Sequence, residues 1–391
     1  MMNHWNYVAL GDVCTVERGG SPRPIDDFIT TESDGINWIK IGDTDESMYI
    51  TKTAQKIKPE GMKKSRYVKP GDFLLSNSMS FGRPYILKID GCIHDGWLVL
   101  RDENNVFDKK FLYYYLSAPI TYEKFKSMAV GGVVNNLNSD MVRKIRVPLP
   151  SKQEQRDITD SLDKITNLHF LRKQQLAKLD ELIKARFVEM FGEPSSNPMG
   201  WLQTTVGAEC YYIKDGPHKS LTDVGMENGY PFISVRNIVN GYIDFSTAKY
   251  ISEADYKDAI KKCCPEKGDI LYSKGGTTGI AKLVDIDIKF ANWVHLAVLK
   301  FNHNEFNGSF FEKMLNCDYC YKQSQMLTKG IANRDLVLSA MAQIKIYKPP
   351  ILLQNQFAAF VERVDQQKQT VQQSLEKLEL MKKALMQEYF G

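Results

Sequence analysis

Residues 176–192, LAKLDELIKARFVEMFG, and residues 375–391, LEKLELMKKALMQEYFG, decide how this chain is organised. The two stretches lie at a constant offset of 199 positions, and eight positions are identical, where average residue usage predicts about one identity by chance. The identical pairs are Leu176/Leu375, Lys178/Lys377, Leu179/Leu378, Lys184/Lys383, Ala185/Ala384, Glu189/Glu388, Phe191/Phe390 and Gly192/Gly391. The chain of 391 residues therefore contains one unit written twice.

The repeat extends towards the N-terminus of each copy. It continues without a gap through 145–158 and 344–357, and then the offset drifts to 194–197, as small insertions would produce. The landmarks there are Trp5/Trp201, Gly11/Gly207, Cys14/Cys210, Gly71/Gly268, Ser76/Ser273 and Gly82/Gly279. The helical stretches resemble each other more than the globular ones do. This is expected if both helices meet one kind of partner and each globular part meets a different one; the alternative is a structural relic of duplication.

The stretches 153–191 and 352–390 carry apolar residues at alternating steps of three and four. Such a sustained heptad stripe is typical of a coiled coil. The residues expected to pair the helices are Leu162, Ile165, Leu176, Leu179, Ile183, Val364, Val371, Leu375, Leu378 and Leu385. Residues 165–191 would span about 40 Å as a helix, close to the roughly 34–36 Å of one DNA turn.

The remaining segments indicate mixed α and β structure. Short apolar runs at 38–41, 73–75, 97–100, 232–235, 270–272 and 296–299 predict strands, and 111–128 and 310–327 predict amphipathic helices. The predicted fold class is α/β (α+β): two mixed α/β globular domains joined by two long helices that form an antiparallel coiled coil, in a pseudo-two-fold internal repeat. The predicted segments are 1–150, 151–192, 193–349 and 350–391.

Each globular half contains a Gly-Asp turn, a strand and a polar loop, GDFLLSNSMSFGRPYIL from Gly71 and GDILYSKGGTTGIAKLV from Gly268. A second pair of loops holds Gly131 and Gly330. Hydroxyl, amide and basic side chains are the groups that contact phosphates and base edges. The candidate DNA-binding residues are Ser76, Asn77, Arg83, Asn135, Asn136, Arg236, Ser273, Lys274, Thr277, Thr278, Asn333 and Arg334. The alternative is that these residues only build well-formed turns, which favour the same residue types.

Composition excludes several classes of protein. The net charge of +4 is only mildly basic, although residues 52–69 form a basic run that would suit a phosphate-facing rim or a solvated face.

We find no catalytic constellation, and 275–279, GGTTG, lacks the Lys of a phosphate loop. Cys317 and Cys320 form a single CxxC without the second pair that structural zinc requires, so we expect no metal site. Seven scattered cysteines and the lack of about 18 consecutive apolar residues predict a cytoplasmic protein without a membrane partner.

Two variable globular segments, each followed by a repeated helix with a Pro-Gln entry and a Phe-Gly end, resemble the specificity subunit of Type I restriction-modification systems. The resemblance spans essentially the whole chain. It implies that each globular domain reads one half of a bipartite site in double-stranded DNA and that the helices set the spacer. It also implies that two methylation subunits dock on the chain and that restriction subunits join the complex.

The same resemblance implies a non-catalytic chain without a cofactor of its own. S-adenosylmethionine and ATP would be bound only by partner subunits. The alternative from another class is a coiled-coil scaffold that brackets protein partners and does not bind DNA.

Overall fold

The computed structural model of the protein describes residues 5–77, 81–129, 136–330 and 334–391. The chain divides into two compact units, of which the first comprises Met1–Lys173 with Gln373–Gly391 and the second Gln174–Gln372. Each unit thus holds one globular segment, the beginning of one long helix and the end of the other. The segments predicted from sequence follow the ends of the helices, whereas these compact units divide both helices near their middle.

The first unit has strands at β1 (Asn6–Ala9), β2 (Thr15–Arg18), β3 (Ile29–Thr30), β4 (Ile36–Ile39), β5 (Tyr49–Ile50), β6 (Gln55–Ile57), β7 (Arg66–Val68), β8 (Phe73–Ser76), β9 (Pro84–Leu87), β10 (Gly91–Ile93), β11 (Trp97–Arg101) and β12 (Arg146–Leu149). Its short helices are α1 (Leu10–Val13), α2 (Lys109–Ser117), α3 (Pro119–Ala129) and α4 (Ser139–Arg143), and the long helix α5 (Lys152–Phe191) begins in this unit. The strands form the sheets β2-β11-β8-β9-β5, β3-β6-β4-β10-β7 and β1-β12.

The second unit has strands at β13 (Leu202–Thr205), β14 (Cys210–Asp215), β15 (Tyr230–Ile233), β16 (Lys249–Ile251), β17 (Ile270–Ser273), β18 (Ala281–Leu283), β19 (Ala291–Asn292), β20 (Leu296–Phe301) and β21 (Lys345–Lys348). Its helices are α6 (Val206–Glu209), α7 (Glu253–Lys262), α8 (Gly308–Asn316), α9 (Asp318–Leu327) and α10 (Leu338–Met341), followed by the start of α11 (Ile351–Phe390). The sheets are β14-β20-β17-β18, β16-β15-β19 and β13-β21.

The two units share a topology as well as a sequence pattern. The antiparallel order β2-β11-β8-β9 matches β14-β20-β17-β18, and the parallel pair β4/β10 matches β15/β19. Successive side chains of a strand point to opposite faces of the sheet. All residues of Phe73–Ser76 and of Ile270–Ser273 are buried, so both faces of these strands are covered. The predicted repeat is therefore a repeat of structure, and the mixed α/β fold is confirmed.

The sequence predicted a single helix over 111–128 and another over 310–327. Both predictions were wrong in one respect, because the structure has two helices in each stretch. Ala118 breaks the first and Cys317 the second, both in extended backbone conformation with ψ of 140° and 156°. Pro119 explains the first break, since its ring disfavours a helical residue before it. The amphipathic pattern does not reveal the second break, because the apolar spacing continues across it.

Each unit contains an antiparallel pair of helical segments. In the first unit, Ile158 and Leu162 of α5 lie in one buried cluster with Met386 and Phe390 of α11. In the second unit, Phe187 and Phe191 of α5 share a cluster with Phe357 and Val361 of α11. Since the start of one helix meets the end of the other, the pairs run antiparallel. The residues predicted to pair the helices are buried or, for Leu176 and Leu385, partly buried.

Polar residues also join the helices at equivalent positions. His169 Nε2 lies 3.2 Å from Glu379 Oε1 in the first unit, and Lys368 Nζ lies 2.7 Å from Asp180 Oδ1 in the second. His169 and Lys368 stand at the offset of 199, as do Asp180 and Glu379. His169 and Lys368 thus form interhelical polar pairs at equivalent positions of the two units.

A buried glutamine fixes the entry of each long helix to the globular part. Gln354 accepts the N–H of Asn307 at 2.9 Å and donates to the carbonyl oxygens of Glu305 and Pro349 at 3.0 and 2.8 Å. Gln155 accepts the N–H of Asp108 and donates to Val106 and Pro150 in the same pattern. This repeated network explains why the Pro-Gln entry is kept in both copies.

Candidate nucleic-acid interface

The polar loop after β8 and the one after β17 are closed by the same hydrogen bonds. The N–H of Arg83 donates to Ser76 Oγ at 3.0 Å, and the N–H of Ile280 donates to Ser273 Oγ at 2.8 Å. The loop glycines Gly82 and Gly279 have φ of +77° and +90°, a conformation that side chains disfavour. The serine and glycine of each loop are therefore explained by the loop's own geometry.

The second pair of predicted loops lies directly beside the first. Leu137 N–H donates to the carbonyl of Asn77 at 3.0 Å in the first unit, and Leu336 N–H donates to that of Lys274 at 2.7 Å in the second. In the second unit Gly276 N–H also donates to the carbonyl of Arg334 at 3.1 Å. The structure thus brings together, in each unit, two loops that are about 60 residues apart in the sequence. We call these two surfaces the loop platforms, defined by 76–77 and 81–83 with 136–137 and by 273–279 with 334–336.

The predicted DNA-binding residues fall into three groups. Those with exposed side chains are Arg83, Asn136, Arg236, Thr277 and Arg334. Those that are buried are Ser76, Asn77, Ser273, Lys274 and Thr278. Asn135 and Asn333 lie outside the described residues.

Burial revises the role expected for the second group. Lys274 is the clearest case, because its side chain is only 8% exposed and its Nζ lies 3.0 Å from Asp335 and 3.5 Å from Asp215. A buried ammonium held by carboxylates in this way is already compensated. Thr278 is bonded to Thr328 at 3.0 Å. In this structure these five side chains are buried and form part of the framework of the platforms.

Arg83, Arg236 and Arg334 are exposed, and each donates a hydrogen bond to a neighbouring oxygen atom. Arg83 donates to the carbonyl of Asp45 at 3.0 Å and lies over the ring of Tyr85 at 5.3 Å. Arg334 donates to Gln325, and Arg236 to the carbonyl of Thr247 at 3.0 Å. An arginine that keeps unused donors at a surface can contact guanine or phosphate.

A pocket of about 640 Å³ lies beside the platform of the first unit. It is lined by Ser21, Arg23, Lys40, Gln55, His94 and Asp95, among others. Asn77 Nδ2 donates to the backbone carbonyl of Asp95 at 2.9 Å, which ties the pocket to the loop. Burial alone would raise the pKa of Asp95, but the hydrogen bond from Ser21 and the charge of His94 together hold it below its ordinary value. The pocket thus presents a carboxylate and several donors next to the platform.

Comparison with known proteins identifies the family of this chain. The model of the Type I restriction modification DNA specificity domain matches residues 2–181 and 213–380, one match in each copy of the repeat. The chain belongs to this family.

Two curated relatives come from Methanocaldococcus jannaschii. The Type I restriction enzyme MjaIX specificity subunit is 24% identical over 75% of this chain and 72% of its own length. The MjaVIII specificity subunit is 22% identical over 98% of this chain and 91% of its own length. The resemblance inferred from the repeat is therefore confirmed.

Solved structures share the fold over the whole chain. A Type I restriction-modification system S subunit from M. genitalium matches with a TM-score of 0.57 and 16% identity, covering 100% of this chain and 98% of that one. A chain from a structure on the complex assembly and conformational transition of the type I R-M system matches with a TM-score of 0.60 and 17% identity, covering 99% of this chain and 97% of that one. The two-domain fold is thus that of specificity subunits.

Within the described residues of this specificity subunit, no three or more His, Cys, Asp or Glu side chains are grouped as metal ligands would be. Cys320 is buried and its thiol lies 3.6 Å from the carbonyl oxygen of Lys345. Nor does any described helix combine the length and apolar character needed to cross a membrane.

Sequence reasoning missed residues that belong to the platforms. Gln325 of α9 donates to the carbonyl of Thr278 at 3.0 Å and accepts from Arg334, and Thr328 bonds Thr278. Tyr122 of α3 and Tyr321 of α9 are also exposed on the helices that pack against the loops. The tyrosines could have been found by extending the offset of 199 through 119–128 and 318–327.

Proposed function

We propose that each unit of this specificity subunit reads one half of a bipartite site in double-stranded DNA through its loop platform. The observation that carries the proposal is the doubling of the platform: two surfaces with the same backbone framework present different exposed side chains. Arg83 in the first unit corresponds to Ile280 in the second, at the offset that relates Gly82 to Gly279. One framework with different surface groups suits two half-sites of different sequence.

The long helices have a separate role in this proposal. Their pairing fixes the unspecified spacer between the half-sites, and two methylation subunits dock on the helices and domains. Restriction subunits join that complex, as the family resemblance implies. The eight identities among the 17 positions of the two helix ends suit two copies of the same partner, because equivalent surfaces bind equivalent subunits.

The chemistry belongs to the partners. The chain is a non-catalytic, cytoplasmic subunit that binds no cofactor or metal. S-adenosylmethionine is bound by the methylation subunits and ATP by the restriction subunits. The basic run at 52–69, where Lys52, Lys63 and Lys69 are exposed, adds a phosphate-facing rim to the first unit. A scaffold that never touches DNA, the other candidate, gains no support from the family match.

The deciding experiment is sequencing of modified adenines in the native host with and without an in-frame deletion of this chain. We expect methylation at one bipartite motif to disappear on deletion and to return when the wild-type chain is restored. An unchanged methylome, with the methylation partner shown to be expressed, would contradict the proposal and favour the scaffold.

Replacing one exposed arginine in each unit should show which unit reads which half-site. We expect Arg83→Ala to relax recognition of one half and Arg334→Ala that of the other, each weakening cognate binding by the assembled complex about 5- to 150-fold, because a good base contact contributes roughly 1–3 kcal/mol. Lys261→Ala, an exposed cation of α7, is the control and should change neither half. Binding of a panel of single-base variants measures this, and relaxation at the same half by both replacements would contradict the assignment.

A further inference from the structure

An exposed tyrosine on the globular part is the same in both copies. Tyr122 of α3 and Tyr321 of α9 stand at the offset of 199, and each is 43% exposed. Neither hydroxyl has a hydrogen-bond partner among the residues that the structure describes. The fold therefore leaves two equivalent phenol groups open to a ligand.

Packing explains the other apolar residues that this region keeps in both copies. Phe107/Phe306, Phe111/Phe310, Leu116/Leu315 and Leu137/Leu336 are all between 0% and 3% exposed. Such residues are retained because a core tolerates few changes of shape. The rings of the two tyrosines are partly buried, that of Tyr122 at 5.7 Å from the ring of Phe81, but packing does not explain why the hydroxyl is kept in both copies.

In each unit, the tyrosine lies on the helix that packs against the glycine of the loop platform, which is Gly82 in the first unit and Gly279 in the second. A Cβ on Gly82 would lie 3.3 Å from Phe125 Cδ2 and 3.7 Å from Tyr122 Cδ2. A Cβ on Gly279 would lie 2.1 Å from Oγ of Ser324, the counterpart of Phe125. Each helix therefore packs on its loop in the same way, and each tyrosine lies one helical turn before that contact.

The surroundings favour an anionic ligand. Lys126 of α3 has a side chain that is 60% exposed and lies 4.0 Å from the exposed carboxylate of Glu123, and Lys322 of α9 is exposed next to Tyr321. Lys329, just beyond α9, is exposed as well. A tyrosine hydroxyl among such cations is a donor suited to a phosphate oxygen.

Because the unit is duplicated, contacts to DNA phosphates can be distinguished from contacts to bases. Two half-sites of different sequence share their phosphate backbone, but they do not share their base edges. A surface residue kept in both units should therefore contact a ligand that both units share, and the exposed lysines beside the tyrosines favour the phosphate backbone over a methylation subunit. We propose that the hydroxyls of Tyr122 and Tyr321 each donate a hydrogen bond to a DNA phosphate and position the loop platforms on the duplex. This inference rests on the proposed DNA-reading function.

The test uses Tyr122→Phe, Tyr321→Phe and the double variant in the complex assembled with the methylation subunits. Fluorescence anisotropy would measure affinity for cognate and unrelated duplexes at several salt concentrations. We expect each variant to bind both duplexes about two- to tenfold more weakly, as loss of one hydrogen bond predicts, and the two losses to multiply in the double variant. The salt slope should stay unchanged, because a neutral hydroxyl displaces no counterion.

Two tyrosines that the repeat does not keep provide controls. Tyr7 is 43% exposed and corresponds to Gln203, and Tyr211 is 75% exposed and corresponds to Thr15. Their replacement by Phe should leave affinity for both duplexes unchanged, and the melting temperature should be the same in all variants.

The outcomes distinguish the two proposals. Wild-type affinity in Tyr122→Phe and Tyr321→Phe would overturn the inference while leaving the proposed function intact. Loss for the cognate duplex alone would overturn it in favour of base contact, and loss matched by a lower melting temperature would overturn it in favour of a structural role. Failure of the wild-type complex to bind DNA would overturn the proposed function and the inference with it.

Discussion

When Glu312 is replaced by alanine, the free energy of local unfolding around α8 in the second unit is expected to fall by about 3–5 kcal/mol. Glu312 Oε2 lies 3.2 Å from Lys282 Nζ, and the two side chains are 6% and 10% exposed. The same carboxylate accepts from Leu283 N–H and from Lys313, both at 2.7 Å. Its removal leaves the Lys282 ammonium largely buried with only Asp285, at 3.1 Å, to compensate it.

Hydrogen–deuterium exchange of peptides from α8 and β18 would measure the effect, and peptides from the first unit would serve as an internal reference. Glu189→Ala is the matched control, because Glu189 is 67% exposed in a surface pair with Arg186 and should contribute roughly 0–1 kcal/mol. Adding Lys282→Met to the Glu312→Ala chain should restore more than half of the loss by removing the uncompensated charge. Equal losses for Glu312→Ala and Glu189→Ala would contradict the assignment.

The same carboxyl group gives a pH dependence of known sign. Burial alone would raise the pKa of Glu312, but Lys313, Lys282 and the hydrogen bonds together lower it below the ordinary value of 4.5. A depressed pKa in the folded state stabilises the fold fully above the unfolded value, and this contribution is lost as pH falls through the folded pKa. Glu312→Gln should therefore reduce the acid sensitivity of exchange in α8.

Replacement of Phe357 by alanine is expected to destabilise the second unit by about 3–5 kcal/mol. Phe357 is fully buried, and its ring centroid lies 5.5 Å from those of Phe187 and Phe191, both in T-shaped geometry. Phe310 of α8 completes the cluster at 4.8 Å from Phe191. The cavity would open where the beginning of α11, the end of α5 and the globular part meet.

Thermal unfolding of the full chain and exchange in the first turns of α11 would measure this loss. Leu352→Ala, on the same helix with a side chain 67% exposed, is the control and should change stability by about 0.5 kcal/mol or less. Phe357→Leu should recover most of the stability, because it returns much of the lost volume. A small effect of Phe357→Ala would show that the helix start is not part of the core.

These two sites illustrate which features the sequence could reveal. The Phe-Gly ending of each helix was visible as a repeat, and the structure gives its reason: Phe191 and Phe390 each enter the core of a unit, and Gly192 ends α5 with a φ of +77°. The Lys282–Glu312 pair was not visible, because its residues are 30 positions apart and neither residue is kept in the other copy of the repeat.

The sequence by itself determined the duplication, the long helices and the main strands. The predicted helices at 151–192 and 350–391 are observed as Lys152–Phe191 and Ile351–Phe390. These features depend on local periodicity and on turn residues, which any short stretch of the chain carries with it. The family followed from the same repeat.

Tertiary structure alone decided which polar loop residues face solvent. Arg83 and Lys274 are both basic residues of the polar loops, yet Arg83 is exposed and Lys274 is buried. The difference comes from Asp215 and Asp335, which lie 59 and 61 positions from Lys274 and meet its ammonium only in the folded chain. Burial of a charge is set by the partners that the fold brings to it, and no local pattern in the sequence records them.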